Sequence, residues 1–514
     1  MPATKQSPEP ISATPRGLIA GLLTPSLGDF FFLAMLVLLF FTSQGWLALL
    51  ADGDTGWHIR TGQWILQNHQ VPHADLFSFS NPGAPWYSWE WLSDVIFAAA
   101  YAQQGLKGVV AVSGLLIGIS ILIVFRYLLW RGAGIALAVL LCVLVADASQ
   151  NHYLARPHVF TLVLLPICLF ILDRDRERPS AAVWILVPIA ALWTNLHGGF
   201  VALFVSLGIY ATGAFIRGRW KAVRRPLLLT VACALATLAN PYGYRLHLHI
   251  AQYLRSSWIA QHVDEFRAPA IRSEGMHKYE VLLFAGIAVL VVLVRKRRYE
   301  DAMLVAFWAH ESLQASRHVS IYMLAAAPIL GTEAALLAER YTAGMPRSSL
   351  VGTLRDLVGD FSWTARRSSI WVAIIAITVW FLPAGPQWPT DFPATFPVAM
   401  VGRNRAMLAP AGGTPPRLLS LDQWGGYLIY KLYPGMPVFI DGRSDFYGQT
   451  IGEEYSCLLR GCDKWESIME KWRFDAVLWP KGGALTEFLK TRPDWRVVDE
   501  DARAILMRKQ PAVP

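Results

Sequence analysis

Side chains that can do acid–base or anion-binding chemistry lie close together in the segment ADGDTGWHIRTG at 51–62. A carboxylate can take a proton from an attacking hydroxyl group, and an imidazole or a guanidinium can stabilise a leaving anion. Asp54 is the candidate base, and Asp52, His58 and Arg60 are the other catalytic candidates. The same pattern also fits a solvated loop followed by a surface helix, so the rest of the chain has to decide between these interpretations.

The two aspartates of this segment offer a second kind of chemistry. Asp52 and Asp54 are two residues apart, and carboxylate oxygens are ligands that Mg²⁺ and Mn²⁺ prefer. Asn151 or His152 from a later loop would then complete the site. A divalent metal, Mg²⁺ or Mn²⁺, is therefore an alternative role for this pair.

The composition places these residues in a membrane protein. Of the 514 residues, 54% are hydrophobic and only 16% are charged, and the mean hydropathy is +0.36. One soluble core cannot bury that much apolar surface. The net charge of +9 does not indicate a nucleic-acid partner, because the basic residues alternate with apolar runs instead of forming one patch. The sequence predicts a polytopic α-helical protein whose partner is the lipid bilayer.

Apolar runs of spanning length predict about eleven transmembrane helices. They are placed at 30–50, 108–130, 133–147, 158–172, 181–194, 199–216, 227–240, 279–294, 302–314, 319–337 and 369–383. Residues 1–28 are rich in Pro, Ser and Thr, which predicts a disordered cytoplasmic tail. Residues 29–383 then form a transmembrane module with a first outer loop at 51–107.

The charge of the short loops orients the chain in the membrane. Arg131 and the basic segments at 174–178, 217–225 and 295–298 fall on one side, provided that the segment at 89–105 lies on the outer surface and does not span. Loops rich in Lys and Arg face the cytoplasm. The predicted location is the bacterial cytoplasmic (inner) membrane with a cytoplasmic N-terminus. The histidines then lie in or beside outer loops, which places the chemistry on the outer face.

The outer loops contribute further cations and imidazoles. Arg156 and Arg317 lie at the edges of predicted spans, where a guanidinium is costly unless it meets a partner or a ligand. They either bind a phosphate group that arrives from the bilayer, or they snorkel and pair with Asp147 and Glu311. The phosphate-binding candidates are Arg156, Arg317, His318, His152 and His197.

After the last predicted span, residues 384–514 have the composition of a soluble domain, which would lie outside the membrane. Strand and helix candidates alternate there, which predicts a small α/β domain. The strand candidates are 417–422, 437–441, 475–480 and 496–509, and the helical stretches lie near 424–433, 452–472 and 484–490. Cys457 and Cys462 are the cysteine pair that could oxidise outside the cytoplasm.

Aromatic and charged residues on the predicted outer side are candidates for binding an acceptor. Trp424 and Tyr427 could stack on a ring. The segment FIDGRSDFYG places Asp441 and Arg443 at the end of a predicted strand, where they either shape an acceptor groove or brace a tight turn. Glu90 from the first outer loop completes this group.

These motifs resemble those of one enzyme superfamily. DTGWHIRT is similar to the first-loop motif of the oligosaccharyltransferase catalytic subunit, with Asp54, His58 and Arg60 on its Asp, Asn and Arg positions. LDQWGGYLIYKLYPGMPVFIDGRSD resembles a soluble-domain segment of the same subunit. The long amphipathic first loop is similar to that of protein O-mannosyltransferases and aminoarabinose transferases. All are GT-C glycosyltransferases, and the chain also resembles bacterial membrane proteins with a DxxWH-like first loop and a WGGYL…FIDGR tail.

The resemblance implies a GT-C-like enzyme that moves a sugar from a polyprenyl-phosphate donor to an acceptor on the outer face of the membrane. QWGGY at 423–427 lacks the aspartate of the peptide-binding WWDYG cluster, so the acceptor stays open among a glycan, a lipid and a protein. Two other functions stay open as well. One is a non-catalytic protein that transports or assembles lipid-linked surface polysaccharide, and the other is a polysaccharide polymerase or ligase.

Overall fold

The computed structural model of the protein describes residues 22–41, 45–273, 275–346, 348–349, 369–383, 385 and 388–510. Most of the predicted tail at 1–28 lies outside the described residues. The first part of the chain is helical: α1 (Leu27–Phe41), α2 (Gly45–Leu49), α3 (Asp54–Asn68), α4 (Trp91–Gln104), α5 (Leu106–Trp130), α6 (Ile135–Ala148), α7 (His158–Glu177), α8 (Leu186–Leu196), α9 (Val201–Ile216), α10 (Trp220–Ala236), α11 (Tyr244–Arg255), α12 (Ser257–His262), α13 (Met276–Arg295), α14 (Tyr299–Gln314), α15 (Val319–Thr342) and α16 (Trp371–Phe381).

Four helical segments have the length and composition to cross a membrane: Leu106–Trp130, Gly198–Ile216, Met276–Arg295 and Ser316–Thr342. Shorter apolar helices lie at Leu27–Phe41, Ile135–Ala148, Ala181–Leu196 and Trp371–Phe381. Each of the eleven predicted spans overlaps a helix. The count of eleven is nevertheless not confirmed, because the other helices in the described part of the chain are shorter or more polar than an isolated span requires.

Ion pairs are concentrated at one end of the apolar helices. Arg131 follows α5 and pairs with Asp173 near the end of α7 and with Asp301 near the start of α14. Arg217, which follows α9, pairs with Glu300. These pairs cancel charges that are costly beside apolar segments. The loop arginines from which the membrane orientation was predicted are therefore also ion-pair partners of buried acids.

The first outer loop folds into two helices that pack against each other. α3 begins at Asp54, and α4 covers most of the predicted surface segment at 89–105. Gly105 has a φ of +62°, a conformation that glycine adopts without strain, and it separates α4 from α5. A Cβ atom at Gly62 of α3 would collide with the backbone carbonyl of Asp94. Glycine therefore lets the two helices approach at this point.

The C-terminal part contains a small sheet surrounded by helices. The strand order is β1-β2-β4-β3, with β1 parallel to β2 and the other neighbours antiparallel. Its elements are α17 (Val398–Arg403), α18 (Arg405–Leu408), β1 (Leu418–Ser420), α19 (Asp422–Leu432), α20 (Ser444–Arg460), α21 (Trp465–Trp472), β2 (Ala476–Pro480), α22 (Ala484–Lys490), β3 (Trp495–Glu500) and β4 (Ala504–Lys509).

The predicted strand at 437–441 has a different role from the one expected. It does not join the sheet, and Val438 instead forms a parallel bridge with Ser78 of the first outer loop. The N–H of Val438 donates to the carbonyl oxygen of Phe77 at 2.9 Å. The segment thus connects the C-terminal domain to the first outer loop. Its apolar residues predicted a strand of the sheet, but such residues can equally be buried against a loop outside the sheet.

Two further elements of the C-terminal domain differ from their predictions. The predicted strand at 496–509 is the antiparallel hairpin of β3 and β4. The predicted helix at 452–472 is divided at Gly461, whose φ is +68°, a common way to end a helix. Cys457 and Cys462, on the two sides of this break, form a disulfide with their Cα atoms 5.1 Å apart.

Glycines bring α19 into backbone contact with α3. A Cβ atom at Gly426 would collide with the carbonyl oxygen of Gly53, and one at Gly56 would collide with that of Gly426. Gly426 of QWGGY and Gly56 of α3 are therefore packing residues. Their contact holds the C-terminal domain directly over the start of the first outer loop.

Candidate active site

A cavity of about 1020 Å³ lies where the first outer loop, the ends of the apolar helices and the C-terminal domain meet. Its wall combines apolar side chains of the helices, such as Leu162, Val205 and Phe307, with many ionisable groups. The ionisable lining residues include Asp52, Asp54, Glu90, Asp94, His152, Arg156, His158, His197, Glu265, Arg317, His318, Asp441 and Arg443. Tertiary structure thus brings most of the predicted site residues together.

Asp52 and Asp54 share one guanidinium. Arg156 Nη1 lies 2.7 Å from Asp52 Oδ2, and its Nη2 lies 3.1 Å from Asp54 Oδ2. The Asp52 carboxylate also accepts a hydrogen bond from the backbone N–H of Asp54 at 2.9 Å, which steadies the start of α3. The side chain of Asp54 is only 9% exposed, whereas that of Asp52 is 25% exposed. Asp54 is therefore the better shielded of the two candidate bases.

Two carboxyl groups of the cavity have pKa values raised to the neutral range or above it. Burial and the neighbouring Asp52 raise the pKa of Asp54 to about 8, although Arg156 opposes them. Burial also raises the pKa of Glu90 to about 8, again opposed by Arg156. A carboxyl group with a pKa near the working pH can both take and return a proton. Such shifts are frequent at functional sites.

The IDGR turn of the C-terminal domain covers Asp54. A Cβ atom at Gly442 would lie 2.6 Å from Asp54 Oδ2 and closer still to Oδ1. Side-chain carbon atoms do not approach oxygen this closely, so only glycine fits this position without a shift. The C-terminal domain thus limits the space around the candidate base.

His58 lies behind the cavity wall and forms a hydrogen bond with Asp94, whose carboxyl group lines the cavity. Its Nδ1 lies 2.6 Å from Asp94 Oδ1, and Asp94 Oδ2 accepts a hydrogen bond from Ser88 Oγ at 3.0 Å. Its Nε2 lies 3.8 Å from Glu90 Oε2, which is too long for a hydrogen bond. Burial lowers the pKa of His58 well below its usual value, so the ring is neutral. His58 therefore positions Asp94 and helps to enclose Glu90.

Glu90 has a second imidazole neighbour, His197, whose Nε2 lies 3.4 Å from Glu90 Oε1. His197 Nδ1 accepts a hydrogen bond from the backbone N–H of Gly199 at 3.0 Å. The proton of the neutral ring is therefore on Nε2 and points to Glu90. His158, on the same wall, donates from Nε2 to the carbonyl oxygen of His152 at 2.6 Å.

Arg317 faces Glu265, an acid that was not considered as its partner from the sequence. Its Nη1 lies 3.8 Å from Glu265 Oε1. Burial by itself would raise the pKa of Glu265, but Arg317 and Arg156 lower it to about 2. Glu265 therefore carries its charge at neutral pH, and both arginines contribute to the field inside the cavity.

The acids predicted as partners of Arg156 and Arg317 contact other residues. Asp147 pairs with Lys278 at 2.8 Å, and Glu311 faces His318 at 3.6 Å. Arg156 and Arg317 instead pair with acids that line the cavity. Their guanidiniums therefore point into a polar cavity and do not snorkel toward bulk water.

Asp441 and Arg443 line the cavity as a buried brace. Arg443 Nη2 donates to Asp441 Oδ2 at 2.7 Å, and its Nη1 donates to Asp75 Oδ1 of the first outer loop at 2.9 Å. The hydroxyl group of Tyr447 also donates to Asp441, at 2.7 Å. The sequence left two roles open for this pair, an acceptor groove and a braced turn. These contacts are those of a braced turn.

Besides His58, three predicted site residues lie outside the cavity. Arg60 Nε donates to the carbonyl oxygen of Tyr430 at 2.8 Å, which joins α3 to α19. Trp424 and Tyr427, which the sequence suggests as stacking platforms, are 7% and 0% exposed. Tyr427 packs against Phe392 and Phe396, and the rings of both Trp424 and Tyr427 belong to the buried core.

The predicted Mg²⁺ or Mn²⁺ ligands do not fit a metal site. Within the described ranges, no three His, Cys, Asp or Glu side chains are arranged to hold a metal ion. Arg156 lies between the carboxylates of Asp52 and Asp54, where a cation shared by both would bind. A guanidinium thus occupies the place that the sequence suggests for a metal.

Several cavity residues have no role in the sequence-based prediction. Asp94, assigned to an outer surface segment, is fully buried against His58. Its spacing of four residues from Glu90 puts both acids on one face of a helical turn, and this spacing is a signal for the pair. Glu265 and the aromatic residues Tyr253 and Trp258 lack such a local signal, because only the folding of the outer loops brings them to the cavity.

The sequence matches no family model and no curated protein, whereas the fold has clear neighbours among solved structures. One is the archaeal oligosaccharyltransferase AglB from Archaeoglobus fulgidus in complex with an inhibitory peptide and a dolichol-phosphate. It has a TM-score of 0.56 and 12% identity over 88% of this chain and 68% of that chain. Another is ArnT from Cupriavidus metallidurans in the apo state, with a TM-score of 0.51 and 14% identity over 93% of this chain and 96% of that chain.

The two neighbours define the class of architecture. AglB and ArnT are GT-C family members, and they match most of this chain. The chain therefore has a GT-C-like fold, a helical part with apolar helices followed by a C-terminal part with a small sheet. The resemblance predicted from DTGWHIRT and from the QWGGY…FIDGR segment is confirmed at the level of the fold.

Proposed function

We propose that the protein is a glycosyltransferase that moves a sugar from a polyprenyl-phosphate donor to an acceptor on the outer face of the bacterial cytoplasmic membrane. The observation that carries this proposal is the contact between the buried Asp54 and Arg156 in a cavity lined by both apolar and polar side chains. The GT-C-like fold supports the same class of reaction.

The residues fit the proton and charge changes of glycosyl transfer. The acceptor oxygen attacks the anomeric carbon, the bond from that carbon to the phosphate oxygen breaks, and the acceptor proton goes to Asp54. The leaving phosphate keeps the electron pair and gains negative charge. Arg156 and Arg317 are fixed cations that can stabilise this charge. The proton on Asp54 returns to solvent before the next cycle.

A lipid-linked donor explains why the cavity is lined by both apolar and polar side chains. The AglB neighbour binds a dolichol-phosphate. In the present chain, Leu162, Val205 and Phe307 of the apolar helices could receive a lipid chain, while the phosphate meets the arginines. Each part of such a donor would then lie against groups of matching polarity.

Donor binding tests this proposal through the Arg317 and Glu265 pair. The Arg317→Gln variant removes a cation and should weaken binding of a short-chain polyprenyl phosphate about tenfold, because a hydrogen bond between charged groups contributes about 1.5–3 kcal/mol and part of this is lost by screening. The Glu265→Gln variant is the matched control. It breaks the same ion pair but leaves the guanidinium free, so binding should be unchanged or tighter. Calorimetric titration of the protein in detergent measures both.

The two variants separate a ligand-binding role from a structural one. If Arg317 only neutralises Glu265, both substitutions should lower the melting temperature and donor affinity alike. That result would contradict the assignment of Arg317 to the donor phosphate. A loss of affinity confined to Arg317→Gln supports it.

The proposed orientation is testable at two exposed glycines. Gly218 and Gly412 both have positive φ, and a Cβ atom at either position would meet no other atom within 4 Å, so short insertions should be tolerated there. A protease site inserted at Gly218 should be protected in intact spheroplasts, and one inserted at Gly412 should be cut. Cleavage at Gly218 from outside would place the cavity on the cytoplasmic face. The Cys457–Cys462 disulfide supports an oxidising location for the C-terminal domain.

A further inference from the structure

Part of the cavity wall comes from two helices that carry none of the predicted phosphate-binding residues. α12 contributes Trp258, and α20 of the C-terminal domain contributes Gly452, Tyr455 and Ser456. The two helices contact each other where Gly452 packs against the Trp258 ring, since a Cβ atom at Gly452 would collide with this ring. The indole therefore lies at the junction between the outer loops and the C-terminal domain.

The Trp258 ring is packed on two sides, but its Nε1 atom has no hydrogen-bond partner among the described residues. The ring of His262 stacks on it with the ring centres 5.2 Å apart and an interplanar angle of 11°. Gly452 packs against the ring. Among the residues that the structure describes, no atom accepts a hydrogen bond from the buried Nε1 of Trp258. A buried donor without a partner is unfavourable, and a ligand oxygen in the cavity would satisfy it.

Other aromatic side chains continue this wall. Trp89 packs edge-on against Tyr253 with ring centres 5.3 Å apart, and Tyr253 packs in the same way against Phe266 at 5.4 Å. All three rings line the cavity. Their faces provide flat apolar surfaces, and such surfaces suit the C–H faces of a sugar ring.

The same region offers carboxylates whose remaining oxygens can accept hydrogen bonds. Asp422 is held by the hydroxyl group of Tyr455 at 2.9 Å, and Asp445 by His249 Nε2 at 3.0 Å. An ionised carboxylate has about four acceptor sites, so each acid can also bind hydroxyl groups of a ligand. A carboxylate disfavours an anionic group in direct contact with it, although the cations Arg267 and Arg460 also line the cavity.

We propose that the space between α12 and α20 binds a neutral oligosaccharide as the acceptor, with Trp258 donating its Nε1–H to a sugar oxygen. This inference rests on the proposed glycosyltransferase function and specifies its acceptor. Flat aromatic faces, an unused N–H donor and carboxylate acceptors suit a polyhydroxylated ligand. Trp424 and Tyr427 of the QWGGY segment are buried, so their rings are unavailable to a peptide.

Direct binding without a donor tests the inference. Full-length protein in detergent is applied to an array of neutral hexose and N-acetylhexosamine oligosaccharides, uronic-acid oligosaccharides and peptides. We expect retention on neutral oligosaccharides. Trp258→Phe keeps a ring but removes the N–H donor, and it should weaken the tightest interaction about five- to tenfold, the usual worth of one hydrogen bond. Trp184→Phe, at an indole that is 42% exposed, is the matched control and should bind like the wild type.

The outcomes separate this inference from the proposed function. Retention on peptides or uronic-acid oligosaccharides alone, retention on nothing, or equal affinities of Trp258→Phe and Trp184→Phe would overturn it. If Trp258→Phe does not fold, Gly452→Ala, which displaces the ring from its other side, must weaken binding instead. Release of sugar from a polyprenyl-phosphate sugar into water tests the glycosyltransferase function without any acceptor.

Discussion

The Asp54→Asn variant is expected to fold and to enter the membrane normally, but to transfer sugar roughly 10²- to 10⁴-fold more slowly, the usual contribution of a general base. Asparagine keeps the size of the side chain and can still accept a hydrogen bond from Arg156. It cannot take up the acceptor proton. A transfer assay with a polyprenyl-phosphate sugar, together with a melting curve, separates a catalytic loss from a folding defect.

Asp52→Asn is the matched control for this substitution. Asp52 contacts the same guanidinium and accepts a hydrogen bond from the backbone N–H of Asp54, but its carboxylate is more exposed. Asparagine can still accept this hydrogen bond, so the rate should fall less than about tenfold, in line with the modest value of a partly exposed ion pair. Wild-type transfer by Asp54→Asn, or an equal loss in both variants, would contradict the assignment of Asp54 as the base.

The pH dependence of transfer should follow the same carboxylate. Burial and Asp52 raise the pKa of Asp54 to about 8, and only the ionised form can accept a proton. The rate should therefore rise with pH and level off above about 8. Asp52→Asn removes one cause of the upward shift, so the midpoint of its profile should move to lower pH. An unchanged midpoint would mean that another group controls the profile.

The Gly442→Ala variant is expected to lose about 10²-fold in transfer rate without unfolding, since a displacement of about 1 Å at a reacting group costs this much. The added methyl group would lie 2.6 Å from Asp54 Oδ2 and closer to Oδ1. Either the carboxylate or the IDGR turn has to move. The rate of transfer and the melting temperature of the variant measure the two consequences separately.

Two comparisons show whether Gly442 acts through Asp54. Gly402→Ala, at a position where a Cβ meets nothing within 4 Å, should transfer at the wild-type rate. In the Asp54→Asn background, Gly442→Ala should add little further loss, because interacting residues are not additive. Fully additive losses would show that Gly442 affects transfer by a route independent of Asp54.

The sequence by itself predicted the class of the fold and most of the residues of the candidate site. Long apolar runs indicate helices for an apolar environment wherever they occur, since each helix satisfies its own backbone hydrogen bonds. The motif around Asp54 and the FIDGR segment are also local, and they were sufficient to predict a GT-C-like fold that the structural neighbours share. The number of spans was not determined, because neighbouring helices can shelter segments shorter than an isolated span.

Only the tertiary structure decided which of the candidate residues meet. Arg156 lies between Asp52 and Asp54, while Trp424 and Tyr427 are buried in the core instead of facing a ligand. Such outcomes depend on contacts between segments that are far apart in the chain, and residue type does not encode them. The contact of Gly442 with Asp54 is one of these. A glycine has no side chain to signal its role, and its importance comes from the absence of a Cβ atom at a place that folding alone makes narrow.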